Sequence, residues 1–460
     1  MNQHTITQCV LFPGICSRPV VAKFDQRQGS SDGGAILLRA ADKRLELTAS
    51  LAGALEDEWQ PKKIKHELRE LVTQRVMAIA CGCPDTNDAA RLGSDPVHKL
   101  LVGRDPIQGD DLASQPTLSR FENNRDRKQL FRVSEALADC VIERHRRRLQ
   151  GRARRITIDL DPTDDPTHGA QQLTFFNHHY DTYCYLPVVG FLSFDEEPEQ
   201  YLVTAVLRPG NAHGSVGAIG ILRRLIQRVK KAFPWTKIRV RLDGGFATPE
   251  VLDFLDGAPK VEYIVNLAAN AVLKRKVEST MKRARRVSKV SGQTEHVYGE
   301  CRYATRTTWP WKRRVIYKAE VVRAQGKEPK DNPRFVVTNL KQSPQWIYEQ
   351  VYCPRGDIEN RIKELHDGMQ IGRTSCSNFW ANTFRVILTA AAYVLMQEMR
   401  LHLATTRWAR AQVSTLRERF LKLGTQVVVS VRRIVLHLPR SFPDRDSFAH
   451  LALSLCASPG

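Results

Sequence analysis

The sequence lacks the segments that would place a protein in a membrane or outside the cell. No apolar run approaches the roughly 20 residues that a membrane-spanning helix requires. The N-terminus has no charged segment followed by an apolar one, so a secretory signal is not expected. We therefore predict a soluble, cytoplasmic protein with no membrane partner.

Cysteine pairs with the spacing of a metal site are also missing. The ten cysteines are scattered, and the closest pair, Cys81 and Cys83, has the form Cys-x-Cys. No Cys-x-x-Cys and no paired cysteine and histidine spacing accompanies it, which argues against a zinc site. Free thiols in a reducing compartment are the expected state, and the sequence assigns no role to Cys81 or Cys83.

Acidic residues are too few to balance the basic ones. Lysine and arginine together number 70 against 49 aspartates and glutamates, which leaves a net charge of +21 at pH 7. The excess is spread along the chain and is not confined to one tail. A basic surface of this kind attracts polyanions, and a nucleic acid is the partner that it favours.

Internal repeats and low-complexity linkers are absent, so changes of pattern along the 460 residues mark the divisions. Helical spacing dominates to about residue 150, and alternation typical of strands begins at Ile156. The predicted class is α/β, with a mixed sheet, flanking helices, an all-helical N-terminal region and an antiparallel β insertion. The predicted divisions are residues 1–150 (helical, DNA-binding), 151–268 (first part of the core), 269–340 (β insertion), 341–405 (second part of the core) and 406–460 (C-terminal region).

Three acidic residues mark the candidate site. Asp161 ends an alternating strand, Asp243 ends the strand 237–242, and Glu359 lies on a helix after the insertion. Alternation puts Asp159 on the same face as Asp161, so the pattern leaves open which of them is the first acid. An aspartate at a strand end commonly caps the next turn, and each aspartate alone fits that structural role.

Carboxylates from neighbouring strand ends and a helix suit divalent metal ions. Two such ions about 4 Å apart promote phosphodiester cleavage by activating the attacking oxygen and stabilising the leaving one. Mg²⁺ prefers carboxylate and phosphate oxygens as ligands. We therefore predict that Asp161, Asp243 and Glu359 hold two Mg²⁺ (or Mn²⁺) ions and are catalytic in cutting and joining DNA.

Basic residues beside the third acid are candidates for phosphate contacts. Arg355, Lys363 and His366 share one helical face with Glu359. This stripe suits metal and phosphate binding, and it suits an ordinary salt-bridged helix equally well. Spacing alone does not decide between the two.

The insertion supplies further candidates for DNA contacts. Eight basic residues, including Arg285 and Arg286, lie between positions 274 and 289. Trp309 and Trp311 lie near further cations such as Arg313. Tryptophans are more often part of the core, but among cations they could stack on bases.

Several segments together resemble the DDE transposases of bacterial insertion sequences, most of all insertion sequence family 1380, and the resemblance covers essentially the whole chain. The segments are SerAspGlyGly (31–34), SerGlnProThrLeuSerArgPheGluAsn (114–123), AspLeuAspProThr (159–163), LeuArgProGlyAsnAla (207–212), ArgLeuAspGlyGlyPhe (241–246), ArgGlyAspIleGluAsnArgIleLysGlu (355–364) and AsnThrPheArg (382–385). The resemblance implies an RNase H-like core, a strand-transfer reaction on double-stranded DNA (terminal inverted repeats and target) and a homodimer that brings two ends together.

The resemblance also assigns individual residues. It favours Asp161 as the first acid, because the acid of the family precedes x-Thr, as in Asp161-Pro162-Thr163. The pattern Tyr-x-x-Arg-x-x-x-Glu of the family matches Tyr352, Arg355 and Glu359, and it assigns the tyrosine and the arginine to DNA.

A lysine often follows the glutamate after six residues in this family. In this chain His366 occupies that position, so the phosphate contact falls either to it or to Lys363. Two other functions compete with the transposase: another RNase H-like nuclease, and a transposase-derived DNA-binding protein without catalysis.

Overall fold

Helical spacing of apolar residues makes the first third of the chain largely helical. The computed structural model describes residues 10–12, 17, 20–23, 25–56, 65–305 and 308–457. Its first elements are β1 (Val10–Phe12), β2 (Val20–Ala22), β3 (Gly29–Ser30), α1 (Ile36–Leu45), α2 (Leu47–Gly53), α3 (Leu68–Ala80), α4 (Ala89–Leu92), α5 (Pro96–Val102), α6 (Gln115–Asn123) and α7 (Arg127–Arg148). The sequence predicts a helix capped by Ser114 with Pro116 in its first turn; Ser114 does precede α6 and Pro116 lies in that turn, but the Ser114 side chain makes no capping hydrogen bond.

The middle of the chain forms a mixed sheet with helices. The next elements are β4 (Arg155–Pro162), β5 (Asp165–Pro166), β6 (Phe175–Asn177), β7 (Thr182–Tyr185), β8 (Val188–Phe194), β9 (Tyr201–Val206), α8 (Ala218–Ala232), β10 (Lys237–Leu242), α9 (Pro249–Asp256) and β11 (Val261–Leu267). In the described part of the chain the main sheet has nine strands, with β4, β10 and β11 parallel at its centre. β8 and β9 extend it antiparallel beyond β4. The predicted α/β class with a mixed sheet is therefore confirmed, whereas the N-terminal region is not all-helical as predicted, since β1, β2 and β3 precede its helices.

The strands of the insertion continue the same sheet on the other side. They follow two basic helices, in the order α10 (Ala271–Lys276), α11 (Glu278–Ser291), β12 (Glu295–Tyr303), β13 (Arg313–Val322), β14 (Lys330–Asp331) and β15 (Arg334–Thr338). β15 pairs antiparallel with β11 and with β13, and β13 pairs with β12 and β14. Core and insertion thus share one hydrogen-bonded sheet.

A small three-stranded sheet branches off between β4 and β8. The sequence predicts strands at about 171–177 and 183–192, whereas β6 and β7 form a hairpin, β5 joins β7, and β8 starts anew at Val188. Pro187 separates β7 from β8, because proline has no backbone N–H to donate to a ladder. The hairpin therefore leaves the main sheet directly after β4.

The last third of the chain completes the core with a long buried helix. Its elements are α12 (Pro344–Trp346), α13 (Asp357–Lys363), α14 (Phe379–His402), α15 (Val413–Leu416), β16 (Thr425–Val429), β17 (Ile434–His437) and α16 (Arg445–Cys456). α14 is long and apolar enough to cross a membrane, which corrects the expectation that no such segment exists. Arg385 and Glu398 interrupt its apolar run in the sequence. The helix is buried against α3 and β9, and a core helix has the same composition as a membrane span.

The C-terminal region pairs with the N-terminal region in a small sheet. β16 pairs with β17 and with β3, so both ends of the described chain contribute to one three-stranded sheet. α16 packs against α1. Residues 1–150 and 406–460, predicted as separate divisions, are therefore joined by backbone hydrogen bonds.

Candidate active site

Two of the candidate acids stand where central strands end side by side. β4 and β10 run parallel, with Leu160 opposite Leu242. Asp161 is the next residue of β4, and Asp243 follows β10 directly. Parallel neighbouring strands end at the same edge of a sheet, so both carboxylates lie at that edge.

Asp159, the alternative first acid, is engaged in a buried ion pair. Its side chain is fully buried, and Arg241 donates from Nε to Oδ1 and from Nη2 to Oδ2, both at 2.7 Å. Gln200 adds a hydrogen bond of 3.3 Å to Oδ2. A bidentate arginine occupies both carboxylate oxygens, so Asp159 joins β4 to β10 and is not presented to a ligand.

Asp161 lies buried among like charges. Its Oδ1 is 2.6 Å from Nη2 of Arg355. Burial, opposed by Arg355 and reinforced by the charges of Asp243 and Glu359, raises the pKa of Asp161 to about 7. Asp161 is therefore close enough to Asp243 and Glu359 to be repelled by their charges, and Arg355 offsets part of that repulsion.

Asp243 also orders the turn that follows its strand. Its side chain caps the short 3-10 turn Gly244–Phe246 by accepting a hydrogen bond of 3.0 Å from the N–H of Gly245. Burial raises the pKa of Asp243, while Arg355 and the N–H groups of the turn lower it. Asp243 thus caps the turn after its strand, as the sequence allowed. The hydrogen bond to Gly245 also orients its carboxylate at the site.

The third acid comes from an irregular helical segment. Ile347–Tyr352 is a π-helix and Cys353–Gly356 a 3-10 turn, and Glu359 is exposed in the first turn of α13. Pro354 cannot donate to the preceding turn, which accounts for the change of helix type. Irregular turns of this kind are frequent at functional sites.

A buried carboxylate that sequence analysis missed holds this segment in place. Glu364 accepts hydrogen bonds of 2.6 Å from Nη1 of Arg400 and from the hydroxyl of Tyr393. The N–H of Val413 donates to the same side chain at 2.8 Å. These partners belong to α14 and α15, so they fix α13, and with it Glu359, against the core. Glu364 is the last residue of the segment 355–364, one of those that carry the resemblance to DDE transposases. Its place in that segment was the only indication in the sequence that it matters.

The other predicted DNA contacts of this segment have different surroundings. Lys363 is exposed, whereas His366 is half-buried with Nε2 3.0 Å from Oγ1 of Thr163. Burial lowers the pKa of His366, which favours the neutral ring. Tyr352 is half-buried, with its ring centroid 5.5 Å from that of Tyr348. Of the two candidate cations, the lysine is the one presented to solvent.

In the insertion the two tryptophans differ in exposure. Trp309 is 6% exposed and packs edge-on against Tyr303, with ring centroids 5.4 Å apart. Trp311 is 49% exposed. The buried guanidinium of Arg313 lies 4.8 Å and 5.0 Å from the two tryptophan rings and is 2.8 Å from Asp256. Trp309 and Arg313 are thus core residues, and base stacking on the insertion would depend on Trp311.

The two arginines predicted on α11 are not equivalent. Arg285 forms ion pairs of 2.7 Å with Glu278 and 2.6 Å with Asp331. Arg286 is exposed. Since internal pairing neutralises Arg285, Arg286 is the one of this pair whose charge faces solvent.

One further group, Arg208, lies near the acids without having been predicted. Arg208 is buried and donates to backbone carbonyl oxygens that include those of Leu186 and Gly214. Burial lowers its pKa to about 10, and the charges of Tyr180 and Asp243 oppose the shift. Arg208 belongs to the segment 207–212 quoted for the resemblance, which was the signal for it.

A separate group of potential metal ligands lies outside this site. Among the described residues, Asp32, Cys81 and His98 form the group whose ligand atoms all lie within 4.8 Å of one another, so the candidate acids are spaced more widely. Nζ of Lys422 is 2.7 Å from Oδ1 of Asp32, and Nε2 of His98 is 2.9 Å from Oδ2. Because a lysine already compensates Asp32, this cluster is a buried ion-paired contact between the two ends of the chain.

Comparison with known proteins identifies a family but no individual relative. A model of the family described as transposase DDE domain group 1 matches residues 12–459. The match covers nearly the whole chain, including both strand-end acids and α13. No curated protein matches the sequence significantly.

Proposed function

The chain belongs to the transposase DDE domain group 1 family, and we propose that it is an active DNA transposase. It cleaves the ends of a transposon, frees their 3′-hydroxyl groups and joins them to target DNA by transesterification. DNA as the partner is supported both by the family and by the net charge of +21.

The donor chemistry of the site supports metal dependence. Asp161, Asp243 and Glu359 offer carboxylate oxygens, the ligands that Mg²⁺ and Mn²⁺ prefer. The pKa of Asp161 is raised to about 7 by burial and repulsion, so added positive charge would keep this carboxyl ionised. Two such ions held there would supply activation of the attacking oxygen and stabilisation of the leaving oxygen.

The cations of the same segment position the DNA. Arg355 reaches Asp161, and its planar guanidinium suits a phosphate group. Its buried Nε has no hydrogen-bond partner among the described residues, which leaves a donor to spare. Tyr352 and the exposed Lys363 flank it, and the lysine rather than His366 binds phosphate.

The division of labour along the chain is also part of the proposal. Residues 151–268 and 341–405 form an RNase H-like core, residues 269–340 are an insertion, and residues 1–150 recognise the inverted repeats. Parallel strands that carry two acids, followed by a helix that carries the third, support this arrangement. We assign the chain to insertion sequence family 1380, with a dimer joining two ends at the bacterial nucleoid.

One observation carries the proposal. Asp161 is paired with Arg355 and repelled by Asp243 and Glu359, so acids from two strands and one helix interact around one arginine. A simple capping aspartate has no need of like-charged neighbours, since their repulsion costs stability. A DNA-binding protein without catalysis would gain nothing from retaining such a cluster.

Cleavage of labelled end DNA tests the proposal. The substrate is duplex DNA that carries the inverted repeats flanking the coding sequence of this chain, incubated with Mg²⁺. The wild-type chain should nick it at the repeat end. Asp243→Asn should slow the nicking by at least about 100-fold, since a metal ligand contributes several kcal/mol to the transition state. Binding of the same DNA should remain.

Asp159→Asn is the matched control because Asp159 lies on the same strand face but is bound by Arg241. It should lower the melting temperature, since a buried arginine loses its charged partner, whereas Asp243→Asn should not. Cleavage at the wild-type rate by Asp243→Asn contradicts the proposal. A wild-type chain that binds the ends but never cleaves them would indicate a DNA-binding protein without catalysis.

A further inference from the structure

A group of exposed aromatic side chains, which we name the aromatic face, lies on the hairpin of β6 and β7. It consists of Phe176, His178 and Tyr183. Phe176 and Tyr183 are cross-strand partners that are 39% and 59% exposed, with ring centroids 5.4 Å apart. The ring of His178 lies 5.1 Å from that of Phe176. A contiguous exposed group of this kind marks a binding surface, because apolar area left in water is costly.

The hairpin that carries the aromatic face is firmly held. Asn177 Nδ2 donates to the carbonyl oxygen of Gly210 at 2.9 Å, and the N–H of Gly210 donates to that of Leu173 at 3.3 Å. A Cβ at Gly210 would overlap the carbonyl oxygen of Cys184, so only glycine permits this approach. The rings are thus presented on a supported backbone, which lowers the entropic cost of binding.

The same hairpin reaches the candidate active site through Tyr180. This residue lies in the turn between β6 and β7, half-buried, with its ring edge-on to His179 at 4.7 Å. Burial, reinforced by the charges of Asp164, Asp161 and Asp243, raises the pKa of its phenol to about 12. β5 starts four residues after Asp161 and pairs with β7. The loop that holds the hairpin at Gly210 continues to Gly214, which packs against Gly245, two residues after Asp243. The hairpin that carries the aromatic face therefore lies beside the acids.

We propose that the aromatic face stacks unpaired bases of the DNA end whose phosphate lies at the acids. Every base has a flat face that can stack on an aromatic ring, but in a duplex neighbouring base pairs cover those faces. Apart from the outer face of a terminal pair, only nucleotides released from pairing can therefore stack on Phe176 and Tyr183. The inference rests on the proposed function and deepens it, because it names the form of DNA that the site prefers.

Charge favours DNA over a protein as the occupant of this face. Arg208 and Arg355 lie near the candidate acids, and Nη2 of Arg208 and Nε of Arg355 have no hydrogen-bond partner among the described residues. A protein partner with an apolar patch would bury the rings without using those cations. Rings on the hairpin together with cations near the acids instead match the alternation of flat bases and charged phosphates along a single strand.

Binding of two labelled DNAs to the full-length chain tests the inference. One is a blunt duplex, and the other is the same duplex with its terminal base pairs replaced by mismatches, so that the end is splayed. Measurements without divalent metal separate binding from cleavage. The wild-type chain should bind the splayed DNA at least about fivefold more tightly. A variant with Phe176→Ala and Tyr183→Ala should lose this preference but keep its affinity for the blunt duplex.

Trp235→Ala is the matched control, because this 92% exposed aromatic precedes β10, at the opposite end of that strand from Asp243. It should keep the preference, and so should Phe176→Tyr combined with Tyr183→Phe, which retains both rings. Equal binding of both DNAs by the wild-type chain, or a preference that survives the alanine pair, overturns the inference. It is also overturned if the alanine pair changes only self-association, since the face then contacts a second copy. A wild-type chain that binds neither DNA overturns the proposed function instead.

Discussion

Asp159 and Asp161 share one face of β4 but serve different purposes. Arg241 binds both oxygens of Asp159, whereas Arg355 meets one oxygen of Asp161. A buried carboxylate with a bidentate arginine is already compensated in charge and gains little from another cation. One that is buried among like charges gains most from an added cation. Asp161, whose charge is less fully compensated within the fold than that of Asp159, is therefore the better candidate for metal binding.

The raised pKa of Asp161 predicts a pH-dependent effect of Asp161→Asn on stability. The folded chain keeps this proton up to about pH 7, whereas the unfolded chain releases it near pH 4. Between these values the folded state binds more protons, so Asp161 stabilises it less and less as pH rises. From pH 5 to pH 7.5, the free energy of unfolding of metal-free Asp161→Asn should rise by about 2 kcal/mol relative to wild type. Urea unfolding at both pH values measures this.

Asp165→Asn is the control for this prediction. Burial raises the pKa of Asp165 to about 7, and Thr374 donates to its Oδ2 at 2.8 Å. It should show the same pH trend without affecting metal binding. At pH 7.5, Mg²⁺ should raise the melting temperature of wild type and of Asp165→Asn but not of Asp161→Asn. Equal shifts in all three proteins would be inconsistent with a metal site at Asp161.

Periodicity predicted that Asp159 and Asp161 share a face, and the register of β4 confirms it. It could not choose between them, since the choice depends on partners from β10 and from the segment before α13. The same limit applies to Trp309, whose burial follows from packing against Tyr303 rather than from its basic neighbours in the chain. The pattern of one segment cannot predict which distant residues its side chains will contact.

At the scale of elements, three helices meet at one buried glutamate. Glu122 of α6 accepts from Nε of Arg75 on α3 at 2.6 Å and from Nε of Arg385 on α14 at 2.8 Å. The segments 114–123 and 382–385, quoted separately for the resemblance, are thus in direct contact. Glu122 compensates the charge of Arg75 in the N-terminal region and that of Arg385 in the core. These ion pairs therefore fix how the N-terminal helices pack against α14.

Glu122→Gln should destabilise the protein strongly, because two buried arginines would lose their charged partner. Removing one member of a buried ion pair typically costs about 3–5 kcal/mol. Glu143→Gln is the control, since Glu143 pairs with Arg146 and Arg147 at the surface and should cost at most about 1 kcal/mol. Denaturant unfolding of both variants measures the difference. Equal losses would mean that the buried network does not hold the helices together.

Elements with strong periodicity were predicted well from the sequence. The predicted strand 237–242 matches β10, and the predicted change from helical spacing to strand alternation between residue 150 and Ile156 matches the step from α7 to β4. Strands were predicted near β6 and β7, but their pairing as a hairpin outside the main sheet was not, because the strands are short and their position depends on contacts with Gly210. The pairing of β15 with β11 could not be predicted from the sequence either, because two helices and three strands separate the two segments along the chain.

At the scale of the whole molecule, the count of 70 lysines and arginines overstates how many basic residues DNA can contact. The arginine-rich run after Glu143 could grip phosphates or form a solvated face. Much of it is paired within the fold: Arg144 lies 2.8 Å from Glu398, Arg148 2.8 Å from Glu197, and Arg155 pairs with Glu196. Such pairs reduce the number of charges that can release counterions on binding. The basic surface is therefore better sought in residues such as Arg286 and Lys363, which are exposed.

The N-terminal and C-terminal parts of the chain pack together next to Gly34. Gly34→Ala tests how much this contact stabilises the fold. A Cβ at Gly34 would overlap the carbonyl oxygen of Phe420, next to the hydrogen bond of 2.8 Å from the N–H of Gly33 to Leu423. Overpacking against backbone should lower the free energy of unfolding by about 1–3 kcal/mol or more. Gly53→Ala, whose Cβ would meet no atom within 4 Å, should leave stability unchanged or raise it by up to about 1 kcal/mol. If both variants melt like wild type, the two ends of the chain do not stabilise the fold through this contact.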